Sequence, residues 1–139
     1  MRKDQADDVG GHARGLRVEV RDWLTRRTSQ AGEWPVELLM AAKGRKRVSV
    51  VIPARDEEAT VGAIVTVLRR YLVERTPLVD ELVVVDSRSR DATAAVAAAA
   101  GATVVAQQDV LGHLPHFDGK GEALWKGLAS STGDIVVFI

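Results

Sequence analysis

The sequence predicts an α/β domain: a parallel sheet flanked by helices. Three observations carry that expectation. Short β-branched runs with almost no polar interruption recur as VSVVIP, ELVVVD, ATVVAQ and DIVVFI, the pattern of strands buried on both faces. Segments of helical spacing or helix-forming composition separate them. Strand–helix alternation of this kind pairs strands in parallel through right-handed crossovers.

Residues 1–15 are polar, glycine-containing and aperiodic, and are expected to be disordered. Residues 16–46 read as a weakly helical extension, with Trp23, Leu24, Trp34, Val36, Leu38 and Leu39 as candidate packing residues. Pro35 suits the first turn of a helix over WPVELLMAAK, where its missing N–H costs little. GRKR, from Gly44 to Arg47, reads as a solvated linker into the domain proper, residues 47–139.

Within that domain VSVVIP is the first strand, and Val61, Ile64, Val65, Leu68 and Leu72 follow at helical spacing. Glu81 to Asp86 is the second strand. Asp91 can cap the alanine-rich helix that Gly101 closes at its C′ position. ATVVAQ is the third strand, followed by a loop with Gly112, Pro115 and Gly119. GEALWKGLASS is a helix, and Gly133 releases the chain into DIVVFI. The sequence stops at Ile139 inside this apolar strand, which raises the expectation of a truncated, C-terminally incomplete domain. An uncovered apolar strand edge promotes association, so an oligomer-prone or poorly soluble product is expected.

A chain of 139 residues with 46% hydrophobic side chains can bury a single core. Nineteen basic and nineteen acidic side chains balance, which gives no footprint for nucleic acid or an anionic membrane. The sequence has no cysteine, so disulfides and thiolate ligands are excluded. No apolar run is long enough for a bilayer, and the N-terminus lacks a signal-peptide core. A soluble cytoplasmic protein is expected.

Ligands of an open parallel sheet collect at the carboxyl ends of its strands, and three clusters land there. The first is Pro53-Ala54-Arg55-Asp56-Glu57-Glu58, the second Asp86-Ser87-Arg88-Ser89-Arg90-Asp91, the third Gly119-Lys120-Gly121-Glu122 at a helix start. Such a rim offers carboxylates and hydroxyls to a nucleoside, and a lysine beside a helix N-terminus to phosphate. Each piece admits a structural reading as well. Asp56, Glu57 and Glu58 suit the positive end of a helix dipole, and Asp91 is a cap first. Asp86 closes an apolar strand, where a carboxylate is costly unless paired or solvated, which favours a functional role. Lys120 lies between glycines, yet GKGE lacks the spacing of a P-loop. His113 and His116 are a lone pair in a loop, a weak metal signal.

VSVVIPARDEEATVG followed by ELVVVDSRSRDAT resembles the opening of the GT-A glycosyltransferases, in which a strand precedes P-x-x-[DN]-E and a second precedes D-x-[GS]-S-x-D. GKGEALW ahead of SSTGDIVVFI narrows the resemblance to the glucosyl-3-phosphoglycerate synthases, over roughly Trp34 to Ile139. That resemblance implies the Rossmann-like, nucleotide-sugar-binding half of a GT-A fold. It implies a hexosyltransferase that moves glucose, with retention, from UDP-glucose to 3-phosphoglycerate with the help of Mg²⁺ or Mn²⁺. By the same resemblance Pro53, Ala54, Arg55 and Glu57 contact ribose and uracil, Asp86 and Ser87 hold the uracil ring, and Lys120 meets the donor near its phosphates. The sequence departs from the pattern at Arg55, commonly apolar, at Arg88, usually glycine, and at Arg90, usually small and polar.

The resemblance places the metal-binding D-x-D after the strand ending in VVFI, so the metal ligands are expected beyond Ile139. The chain is expected to bind donor and to be inactive alone; product from UDP-glucose, Mg²⁺ and 3-phosphoglycerate would contradict this. Two alternatives stand beside it: a non-catalytic nucleotide-binding module, and another glycosyltransferase of the GT-A, family-2-like kind. A dinucleotide-binding domain is disfavoured because no G-x-G-x-x-G follows the first strand. A nucleotidyltransferase would carry a glycine-rich basic loop where PARDEE stands.

Overall fold

Four strands, β1 (Val48–Ala54), β2 (Glu81–Asp86), β3 (Thr103–Ala106) and β4 (Ile135–Phe138), form one sheet in the order β3-β2-β1-β4. The computed structural model describes residues 15–117 and 119–139. Apart from Gly15, the N-terminal stretch expected to be disordered lies outside them. All three pairings are parallel, with Ala54 opposite Asp86 and Asp86 opposite Ala106. The three loops that carry the chemistry-bearing residues therefore leave one edge of the sheet.

The described chain divides into two units between Pro35 and Val36. In the first, helix α1 (Val18–Arg27) and a single turn at Ala31–Glu33 bury no residue. Trp23 is 59% exposed, and Leu24 and Trp34 are exposed as well, contrary to their expected packing role. A ten-residue helix and one turn offer too little surface to enclose an indole. Helix α2 (Val36–Lys43) belongs to the second unit; it too buries none of its residues, and Val36 and Leu38 are exposed.

Period-two side-chain alternation sends the strands into two cores. Val50, Ile52 and Ala54 of β1 join Leu82 and Val84 of β2 beneath α3 (Val61–Leu68) and α4 (Thr93–Ala99). Val51, Val83 and Val85 face the other way, against Ala123 of α5 (Lys120–Ser130). Val61 and Val65 anchor α3, whereas Ile64 is 42% exposed. At about 100° per residue it lies some 60° from Val61, at the margin of the buried stripe. After Leu68 the helix widens to π-type turns through Arg75. Helix α4 ends as the sequence foretells. The Gly101 N–H donates to Ala98 O and the Ala102 N–H to Ala97 O, with Gly101 at φ +99°, a Schellman ending that glycine reaches without strain.

Two acids brace the opposite edge of the sheet. Asp80 Oδ2 accepts the Val48 N–H at 2.8 Å, and Lys43 lies 3.0 Å from the same oxygen. The Val48 amide first, then Lys43, holds the Asp80 carboxyl below its usual range. Glu81 Oε2 accepts from Ser49 Oγ and from the Thr132 N–H. Burial works against its ionisation, but the Ser49 and Thr132 hydrogen bonds together outweigh it and leave this carboxyl lowered too. GRKR is exposed as expected, while the Arg47 N–H donates to Asp134 Oδ2 at 2.8 Å, fixing the start of β1 to the start of β4. Ile135, Val137 and Phe138 of the edge strand β4 are each more than 40% exposed.

Candidate functional site

The loops after β1 and β2 are clasped together by backbone groups. The Asp56 N–H donates to Ser89 Oγ at 3.0 Å, and the Arg90 N–H donates to Asp56 Oδ1 at 2.7 Å. One residue on, the Glu57 N–H donates to Thr93 Oγ1 at 2.7 Å. The Glu58 N–H reaches Asp91 Oδ2 at 3.2 Å, and the Ala92 N–H reaches Glu58 Oε2 at 2.8 Å. Asp56, Glu58 and Asp91 are thereby committed to holding the loops. The N-cap of α4 is Ala92, with no side-chain cap bond, rather than Asp91 as expected; Asp91, one residue earlier, accepts the Thr93 N–H on Oδ1 at 3.0 Å, and the Thr93 hydroxyl keeps its carboxyl below its usual range. Asp56 and Arg88 adopt left-handed backbone, φ +54° and +61°. Asp tolerates this region; a long side chain does so at a cost. Arg88→Gly is expected to raise stability by about 0.5–1 kcal/mol, read as a higher urea midpoint; a lower midpoint would show that the arginine side chain outweighs the strain.

Between this clasp and the N-terminus of α5 lies a pocket of about 370 Å³, a volume suited to a small-molecule ligand. Pro53, Ala54, Arg55, Glu57, Ser87 and Lys120, six of the seven residues singled out from sequence, line it together. Asp86 stands apart. It is half-buried at the end of β2, its Oδ2 accepts the Ser89 N–H at 3.3 Å, and it does not line the pocket. Arg88, Gln107, Gly119 and Ala123 complete the lining. Ala54, Gln107 and Ala123 are buried and form the floor, whereas Arg55, Glu57, Arg88, Gly119 and Lys120 are exposed on the rim. Glu57 accepts from the Thr60 hydroxyl and is the sole carboxylate among the lining residues. Lys120 opens α5, so it stands at the positive end of the helix dipole, where the Glu122 N–H already pairs with Gly119 O at 3.2 Å.

The wall beneath α5 rests on a buried ion pair. Lys126 is 0% exposed, and its Nζ lies 3.0 Å from Glu122 Oε1, 3.1 Å from Gln107 O and 2.8 Å from His116 Nδ1. The contact with Oε1 is an ion pair between groups four residues apart on the helix. Glu122 Oε2 accepts the Trp125 indole N–H at 2.7 Å. That bond first, with Lys126 adding to it against the opposing effect of burial, holds the Glu122 carboxyl below its usual range. The sequence singled out neither Lys126 nor Gln107, and no local signal marks them.

Among the described residues no group of three or more His, Asp or Glu side chains converges on a metal-sized site. His116 meets Lys126 instead. One carboxylate facing three cations on the pocket rim is the wrong donor set for Mg²⁺ or Mn²⁺, which take several oxygen ligands. Nor is any described helix long and apolar enough to cross a membrane.

The chain is 47% identical over 117 residues to the glucosyl-3-phosphoglycerate synthase of Mycolicibacterium smegmatis, covering 84% of this chain and 38% of that protein. The enzyme of the same description from Petrotoga mobilis is 39% identical over 93 residues, 67% of this chain and 29% of that one. The chain thus spans well under half the length of these relatives. Among solved structures, glucosyl-3-phosphoglycerate synthase from Mycobacterium tuberculosis, in complex with Mn²⁺, UDP and glucosyl-3-phosphoglycerate, superposes with a TM-score of 0.72 at 46% identity, covering 81% of this chain and 39% of that one. Mannosyl-3-phosphoglycerate synthase from Rubrobacter xylanophilus gives 0.77 at 37% identity, over 84% and 37% of the two chains. Residues 49–139, which hold the whole sheet but for its first residue and every lining residue of the pocket, match the family described as Glycosyl transferase family 2. The chain belongs to that family.

Proposed function

We propose that this chain is the donor-binding part of a retaining glucosyl-3-phosphoglycerate synthase, and that its pocket takes the nucleotide of UDP-glucose. The observation that carries the reading is the convergence of Pro53, Ala54, Arg55, Glu57, Ser87 and Lys120 on one cavity at the carboxyl ends of the strands. Each has a task that its chemistry suits. Ala54 and Ala123 give an apolar floor for a flat base, and the Ser87 hydroxyl can donate to or accept from its edge. Glu57 on the rim accepts from ribose hydroxyls. Lys120 and the first-turn amides of α5 face the diphosphate, where charge grows as the sugar–phosphate bond breaks. Asp86 serves from outside the cavity by ordering the loop that carries Ser87.

A divalent ion, when bound, neutralises the leaving diphosphate. The described residues supply no ligand set for one, which assigns binding and orientation of the donor to them. This favours the second reading, a nucleotide-binding module, for the chain acting by itself. We place the complete reaction, with 3-phosphoglycerate as acceptor, in the cytoplasm, as a sequence without cysteine allows.

Titrating UDP into the chain is expected to show submillimolar binding, and Lys120→Ala to weaken it at least about tenfold by loss of a charge-assisted contact to phosphate. Absence of heat with the unaltered chain would overturn the reading.

A further inference from the structure

The pocket floor holds a polar group with no assigned task. Gln107 follows β3, lines the pocket and is 7% exposed. Its backbone is fixed on both sides: the N–H donates to Asp86 O at 2.9 Å, and the carbonyl accepts from Lys126 Nζ at 3.1 Å. Its side-chain Oε1 is buried and has no hydrogen-bond partner. Buried acceptors in native folds are nearly always paired, and a turn of the amide about its last torsion carries this one to the cavity that the residue lines, where a ligand donor can meet it. Asp86 Oδ1 is unpaired as well, but Asp86 does not line the cavity.

We infer that Gln107 reads the nucleobase of the donor, its Oε1 accepting the N3–H of uracil and its Nε2 donating to a neighbouring carbonyl of the ring. The inference rests on the donor-pocket reading above and adds a specificity-determining contact to it. An acceptor oxygen has nothing to gain from phosphate, which leaves base N–H and ribose O–H groups as partners. Depth decides between them. Gln107 shares the buried floor with Ala54 and Ala123, while the charged groups suited to ribose and phosphate, Glu57 and Lys120, stand on the exposed rim. A planar, weakly polar ring belongs on that floor. A primary amide also presents donor and acceptor side by side in one plane, the complement of a base edge. Lys126 makes the contact specific, because a carbonyl tied to a buried ammonium cannot let the residue swing away.

The test is calorimetric titration of the full chain and of Gln107→Leu, of similar size but without polar atoms, with UDP, N3-methyl-UDP and 2′-deoxy-UDP. Gln107→Leu is expected to weaken UDP about 5- to 20-fold. Its penalty is expected to persist with 2′-deoxy-UDP and to fall to about twofold or less with N3-methyl-UDP, since the donor is then gone. A penalty equal for all three ligands would reveal a packing role and overturn the inference. A penalty lost only with 2′-deoxy-UDP would transfer the contact to ribose and overturn it equally. UDP binding untouched by the substitution would refute Gln107 while leaving the donor pocket standing; no UDP binding by the unaltered chain would remove both. Gln107→Met provides the same comparison if the leucine variant does not fold.

Discussion

Lys126→Met is expected to lower the thermal unfolding midpoint by roughly 10 °C or more, although the new side chain matches the old in length. Lys126 is fully buried, and its ammonium is shared by Glu122 Oε1, Gln107 O and His116 Nδ1. Methionine fills the space and satisfies none of them. Glu122, itself 6% exposed, would keep its Trp125 hydrogen bond but lose the only opposite charge placed against it among the described residues. An uncompensated buried carboxylate is far more costly than the intact pair is favourable. The sign can therefore be checked by a second change: adding Glu122→Gln, which removes the charge and leaves an acceptor for the indole, is expected to recover a large part of the loss. Circular dichroism melts of the two variants give the answer. A single-variant shift under about 3 °C would mean that the pair is dispensable. The same substitution releases the Gln107 carbonyl, so UDP affinity is expected to fall alongside stability.

Gly127→Ala is expected to cost about 3 kcal/mol, large for the addition of one methyl group. Helix α5 lies close against the sheet at this residue. A β-carbon built there would lie 2.3 Å from Val51 Cγ1 and 3.1 Å from Val85 Cγ2. Both valines are fully buried, and β-branched side chains have few rotamers into which to withdraw. The helix must then lift, carrying Ala123 away from the pocket floor and Lys120 away from its rim. Urea titration measures the loss, and Val51→Ala in the same chain is expected to return part of it by vacating the space. An unchanged urea midpoint for Gly127→Ala would show that α5 is not seated against Val51 in solution.

Much of the fold was legible because its signals are local. All four strands are apolar runs bounded by turn residues, and the Gly101 ending of α4 is written in a few consecutive positions. The candidate site was legible to the extent that strand order places three loops on one edge. What escaped depends on contacts between residues far apart in sequence. Lys126 sits in GEALWKGLASS as a lysine that any exposed helix face would carry; that it is buried, with its ammonium against Gln107 O and His116 Nδ1, is visible only in the folded chain. Gln107 follows its strand as an ordinary polar residue, and its isolation is visible only once the floor is assembled. Trp23 and Trp34 failed in the opposite direction, since hydrophobicity promises burial only where an element exists to receive it. Asp86 is, by sequence, a costly strand-end carboxylate; the amide of Ser89 meets that cost in part, outside the cavity.

The reciprocal bonding of residues 56–58 with residues 89–93 means that two segments more than thirty positions apart behave as one mechanical piece. Each segment has bonds of its own, yet each also supplies partners that the other's amides require. Engineering of this chain must treat them as a cassette. A chimera that exchanges one segment of this chain with a relative inherits half of a joint, so the unit to exchange here is the pair.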